Sequence, residues 1–210
     1  MTRNFDLEKA FPAIKLNRAS QAEIEECKKN NFIDVDAKKI KEVKDIKIKP
    51  NSYITGYDAR WYNYEDFMRE NFNPTLNDAS RKWFDIIDNN RDSCGIHIRR
   101  GDLTSYHPAY GDPTPSEYFI EVIKFLHKKN PNLSFYLFSE EKDWVRENII
   151  PKLAEDVKYY IVDANNADNG YLDLFLLSRC RYIVGSHGSF GDYAHMLSNN
   201  SIYINPNLAF

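Results

Sequence analysis

Cysteine is scarce in this 210-residue chain and widely scattered, at Cys27, Cys94 and Cys180 only. That spacing supports neither a disulfide framework nor a metal-binding pair, and it predicts reduced structural thiols of the kind a cytoplasmic protein carries. Surplus positive charge is also missing. Twenty-eight basic residues against 31 acidic ones leave a formal net charge of −3, which excludes a general nucleic-acid binder and confines any polyanion site to a local patch. No apolar run is long enough to span a bilayer, and the opening Met-Thr-Arg-Asn-Phe-Asp has no signal-peptide core. A soluble chain is expected. What is present is a composition 42% hydrophobic and 14% aromatic, enough for one substantial core with a smaller appended piece.

The first ninety residues read as a partial N-terminal lobe, helical with a charged connection. Ser20-Gln21-Ala22-Glu23 has the form of a capping box and opens a helix that runs into Lys28 and Lys29. Residues 34–50 are lysine- and acid-rich, a solvated connection in which Asp34-Val35-Asp36 reads as a turn or cap before it reads as a metal-holding carboxylate pair. Tyr53 to Tyr57 is expected as a strand and Asn63 to Phe72 as a helix. A further helix from about Asn77 buries Leu76, Trp83 and Ile87.

From residue 91 to 210 strand and helix alternate. Ser93 to Ile98, Phe135 to Phe138, Val157 to Val162, Tyr182 to Val184 and Ile202 to Ile204 are apolar runs of strand length. Between them lie a long polar loop, Gly101 to Thr114, and helices. Thr114-Pro115-Ser116-Glu117 reads as a capping box before a helix with Phe119, Val122, Ile123 and Leu126 on one face. Ser139 is expected to cap the next helix, which Pro151 interrupts; later helices cover Leu172 to Leu177 and Phe190 to Leu197. This is the pattern of a Rossmann-like α/β domain, a mostly parallel sheet with helices on both faces, whose ligands bind outside the carboxyl ends of the strands.

Two strand ends on that rim are unusually polar. Cys94-Gly95-Ile96-His97-Ile98 turns abruptly into Arg99-Arg100-Gly101-Asp102, two guanidinium groups followed by a glycine and a carboxylate. Guanidinium forks match phosphate oxygens, so this reads as an anion-binding strand end. Adjacent residues of an extended chain point apart, so one arginine is expected to face the ligand while the other braces Asp102. The second strand end is Gly185-Ser186-His187-Gly188-Ser189, whose backbone amides and hydroxyls precede a helix start at Phe190 and complete a diphosphate cradle. Bland roles stand beside these: an ion pair for the arginines, a core histidine at His97, a helix-terminal charge at Asp173, a satisfied loop histidine at His187. Tyr106, His107 and Tyr110 suit either sugar stacking or a lid without ligand contacts. Asp102 is the candidate for a base on an acceptor hydroxyl, or an organiser of the arginines.

His97-Ile98-Arg99-Arg100-Gly101-Asp102 resembles the His-x-Arg-Arg-Gly-Asp motif of the α1,2-fucosyltransferases that use GDP-fucose. The resemblance continues through Phe138-Ser139-Glu140-Glu141, Trp144-Val145, Asp173 to Cys180, Ser189-Phe190 and Ile204-Asn205-Pro206. It implies a GT-B-like glycosyltransferase that transfers fucose from GDP-fucose to a sugar hydroxyl with inversion and needs no metal. It places Arg99 on the diphosphate, His97 and Asp173 near the guanine, and His187 to Tyr193 in the family's Asn-Ser-Ser-Phe-Ser-Trp-Trp loop, of which Ser189 and Phe190 are retained. Catalytic candidates are then Arg99 and Asp102, and donor-binding candidates His97, Arg99, Arg100, Asp173, Ser186, His187, Gly188, Ser189 and Phe190. The implied partners are GDP-fucose and a glycan acceptor, with peripheral association at membrane-linked glycans. The family's N-terminal Gly-Gly-x-Gly-Asn-Gln segment has no counterpart, so three readings stay open: a truncated or divergent transferase, a non-catalytic GDP-sugar or glycan-binding remnant, and a transferase with a changed donor.

Overall fold

The computed structural model describes residues 7–35, 47–56, 65–105 and 111–206. Asp36, Tyr57, Tyr106, His107 and Tyr110, singled out above, lie outside them. The chain divides into two compact units, residues 13–68 and residues 1–12 with 69–210.

In the smaller unit, helix α2 (Gln21–Asn30) follows α1 (Leu7–Ala10) of the larger one. Its capping box forms as expected: Glu23 N–H donates to Ser20 Oγ at 3.3 Å, and Ser20 N–H donates to Glu23 Oε2 at 2.7 Å. Strands β1 (Phe32–Asp34) and β2 (Tyr53–Thr55) pair in parallel, and the rings of the facing Phe32 and Tyr53 stack at 5.9 Å. Helix α3 (Glu65–Asn71) spans the division between the units.

The larger unit follows with α4 (Asp78–Asp88), β3 (Ser93–His97), α5 (Gly101–Ser105), α6 (Ser116–Lys129), β4 (Ser134–Phe138), α7 (Lys142–Asn148), β5 (Lys158–Ile161), α8 (Gly170–Ser178), β6 (Tyr182–Val184), α9 (Phe190–Leu197) and β7 (Ile202–Ile204). Five strands form one parallel sheet in the order β5-β4-β3-β6-β7. The chain winds outward from β3 to β5 and then returns to lay β6 on the other side of β3. The order therefore reverses between β3 and β6, the switch point at whose carboxyl-end crevice sheets of this kind bind ligands.

Alternation along β4 shows why the sheet is covered on both faces. Phe135 and Leu137 join Ile96, Phe119, Ile123 and Val145 in one cluster, whereas Tyr136 and Phe138 join Ile87, Leu176, Leu177 and Ile183 in the other. Helix α6 alone buries five apolar side chains, each worth about 1.5–3 kcal/mol if fully withdrawn from water. Gly95 permits α8 to approach β3: a Cβ there would stand 2.5 Å from Leu177 Cδ1 and 2.8 Å from Cys180 Sγ. Cys94 and Cys180 are buried, and burial pushes both thiols up, in keeping with structural roles. The boundary expected at residue 90 differs from the grouping observed, because Ile87 of α4 is fully buried in the second cluster and ties that helix to the sheet.

Three local readings are corrected. The stretch from Gly101 begins as helix α5 rather than as open loop. Ser139 does not cap α7, whose N-cap is Glu141; its hydroxyl donates to the Ile98 carbonyl at 2.9 Å and accepts Glu141 N–H, locking the ends of β3 and β4 together. Thr114 does not cap α6, whose N-cap is Pro115 without a side-chain bond. The buried Thr114 hydroxyl serves the site instead. Among the described residues no helix is long and apolar enough to cross a membrane.

Candidate functional site

The crevice between β3 and β6 is built from backbone first. Val184 lies in register with Ile96, so Ser186, two residues on, reaches the backbone beyond Ile98. Arg99 N–H donates to Ser186 Oγ at 3.1 Å, and the same hydroxyl is 3.1 Å from His97 Nδ1. One serine hydroxyl thus joins the backbone beyond β3 to the imidazole of His97. Burial, with the nearby Arg99 charge adding to it, pushes His97 down to about 3, so the ring is neutral at pH 7. It stacks on Phe190, 4.3 Å between centroids and 20° between planes.

Both arginines are held, by different partners. Arg99 grips Asp102 with two bonds, Nε to Oδ1 at 3.1 Å and Nη2 to Oδ2 at 2.7 Å. Arg100 donates to Glu141 Oε2 at 3.1 Å and lies over the Trp144 ring at 3.7 Å. The expected separation of the two side chains holds, but the brace on Asp102 falls to Arg99 and not to its neighbour. Arg99 also faces the loop after β6. Gly188 has φ +104°, and a Cβ on it would run into Arg99 Nη1, so this loop can lie against the guanidinium only as glycine. His187 N–H donates to Thr114 Oγ1 at 2.8 Å, tying the loop to the segment before α6. Ser189, at the N-cap of α9, makes no side-chain cap bond and is exposed.

A second patch lies at the start of α8. Asp173 Oδ1 accepts from Asn165 Nδ2 at 2.7 Å. Burial raises its carboxyl to about 6, with Asn165 and Lys142 opposing the rise and Glu140 adding to it. Glu140 joins the two patches, since its Oε2 would be 2.9 Å from a Cβ on Gly101 while its charge acts on Asp173. Among the described residues no three His, Cys, Asp or Glu side chains cluster as metal ligands; the cations of the rim are Arg99, Arg100 and Lys142.

The sequence model of glycosyl transferase family 11 matches residues 8–209. The chain belongs to that family. An alpha-1,2-colitosyltransferase of Escherichia coli is 29% identical over 67% of this chain and 48% of its own length. The galactoside alpha-(1,2)-fucosyltransferase 1 of Lagothrix lagotricha is 27% identical over 72% of this chain and 44% of its own length. This family 11 chain thus spans about half the length of the curated relatives it matches. Among solved structures, POFUT1 in complex with GDP superposes with a TM-score of 0.51 at 10% identity, covering 74% of this chain and 55% of that one, a likeness of fold.

Within the candidate site of this family 11 chain, His97, Arg99, Asp102, Ser186, Gly188 and Phe190 come together at the crevice, with His187 and Ser189 in its loop and Asp173 at the adjoining patch. Arg100 is engaged by Glu141 and Trp144. Sequence reasoning missed Thr114, Lys142, Asn165 and Ser80. The one signal for Asn165 was its place in an asparagine-rich loop between a buried strand and an apolar helix.

Proposed function

We propose that this family 11 glycosyltransferase chain carries the donor site of an inverting α1,2-fucosyltransferase, which takes GDP-fucose and a glycan hydroxyl. The observation that carries the reading is the convergence of Arg99, Ser186 and Gly188 at the point where the strand order reverses. In the transfer, the acceptor oxygen forms its bond to the anomeric carbon while the bond from that carbon to the terminal phosphate oxygen breaks. The hydroxyl proton passes to a base, and negative charge grows on the departing diphosphate. Arg99, pre-oriented by Asp102, offers fixed positive charge where that charge develops, and the Ser186 to Ser189 loop offers backbone donors. Asp102 is occupied as the organiser of Arg99 before it is a base. Asp173 reads the nucleobase, and neutral His97 with Phe190 forms a flat wall beside it. The unbridged Cys27, Cys94 and Cys180 support a cytoplasmic setting, with the acceptor presented on a membrane-linked glycan.

The relative acting as a colitosyltransferase makes a different deoxysugar donor the second reading. Transfer assays with GDP-fucose and a colitosyl donor, each with galactoside acceptors, separate the two. Product from GDP-fucose that disappears in Arg99→Ala supports the first reading, and product from the colitosyl donor alone supports the second. GDP binding with no transfer from either donor supports the non-catalytic alternative.

A further inference from the structure

Asn165 is a buried polar hub in the loop between β5 and α8, 6% exposed. Its side-chain Nδ2 donates to Asp173 Oδ1 at 2.7 Å, and its Oδ1 accepts from Ser80 Oγ at 3.0 Å and from Asn169 Nδ2 at 3.1 Å. Its backbone carbonyl takes Lys142 Nζ at 3.1 Å. Helix α4, the loop, α7 and α8 therefore meet on one residue, the first, second and last of them through contacts with its side-chain amide and α7 through its backbone carbonyl. The two donors at Oδ1 fix which end faces Asp173, because the amide turned over would set Nδ2 against the Asn169 donor and a carbonyl oxygen against the carboxylate. Asp173 Oδ2 has no hydrogen-bond partner among the described residues and is not a buried orphan, so it is open to a ligand's donor. The charged groups that act on Asp173 are Lys142 from α7 and Glu140 from the loop after β4, and they act in opposite senses.

We infer that Asn165 is a positioning residue that aims the Asp173 carboxylate at the adjacent N–H donors on the base-pairing edge of a guanine. The inference rests on the reading that the rim takes a guanine nucleoside diphosphate. It assigns base selectivity to a residue that does not itself touch the base. The phosphate cradle, built on other elements, is independent of it.

The test is calorimetric titration of the folded chain with GDP and with inosine diphosphate, which shares the ribose and diphosphate but lacks the exocyclic amine. Wild type should prefer GDP. Asn165→Ala should weaken GDP about tenfold, about 1.4 kcal/mol, toward the inosine nucleotide, whose own affinity changes less than about threefold. The amide bond favours the charged carboxylate, so the pH midpoint of the GDP preference should also move upward in the variant. Ser80→Ala, which frees the far side of the amide, should shift the same ratio by about threefold and decides the matter if Asn165→Ala does not fold. An unchanged ratio and midpoint, or equal losses for both nucleotides, would overturn the inference. Failure of wild type to bind either nucleotide would remove the donor-site reading itself.

Discussion

The two halves of the proposed donor site are built from different materials. At the β3/β6 crevice the fixed elements are backbone amides, a glycine in left-handed conformation and an arginine locked to a carboxylate, while the buried ring of His97 is pushed to about 3. At the start of α8 the elements are a buried amide and a carboxylate raised to about 6. In the first half the Arg99 guanidinium keeps its charge across the working range of pH. The second changes charge within reach of it. A diphosphate is anionic throughout that range and needs constant positive charge, whereas a base edge is read by donor and acceptor geometry, which one proton can alter.

The largest effect separating the halves is expected from Arg99→Ala, which should weaken GDP about 100-fold by removing charge-assisted bonds worth about 1.5–3 kcal/mol each. Arg99→Lys should restore little of it, since an ammonium lacks the fork that meets Asp102. Calorimetric titration of both variants checks this. Gly188→Ala should follow, weakening GDP and inosine diphosphate alike by about tenfold, because the new Cβ displaces Arg99 and the positive φ costs about 1–2 kcal/mol. If instead the GDP preference alone changed, the division between the halves would fail. Arg100→Ala should change GDP affinity less than about threefold while lowering stability about 1–2 kcal/mol in urea unfolding, through loss of Glu141 and the Trp144 face.

A separate effect concerns acid stability. Folded His97 binds its proton near 3 where its ordinary value is 6.5, so its contribution is full above 6.5 and is lost as pH falls toward 3. Asp173 runs the other way: its carboxyl titrates near 6 when folded against 3.8 ordinarily, so its contribution is present below 3.8 and lost as pH rises through 6. His97→Gln should therefore be less destabilised than wild type on going from pH 7 to pH 4.5. Urea midpoints across that range read the difference.

The sheet and its helices were legible because their surfaces repeat. The apolar run Phe135 to Phe138 announced a strand buried on both faces, and the spacing of Phe119, Val122, Ile123 and Leu126 announced the face of α6. Helix α9 and strand β7 begin and end where the residue pattern changes. The crevice was half legible: Arg99 and the Gly185 to Ser189 loop stood out as polar breaks after apolar strands, but their adjacency depends on strand order, which local pattern does not encode. Thr114 was misread for the same reason, since a threonine before Pro-Ser-Glu satisfies a capping rule while its actual partner is the His187 amide, 73 residues away. The Ser80–Asn165 bond joins residues 85 apart. A buried polar hub leaves no periodic trace, because its partners come from four elements and each appears alone in the chain.

The central claim is that this rim holds a guanine nucleoside diphosphate, and titration of the purified chain with GDP in metal-free buffer, with ADP and UDP as controls, tests it most directly. The account predicts saturable binding of GDP in preference to both controls, reduced about 100-fold in Arg99→Ala. Equal binding of all three nucleotides, or a wild-type affinity in Arg99→Ala, would contradict it.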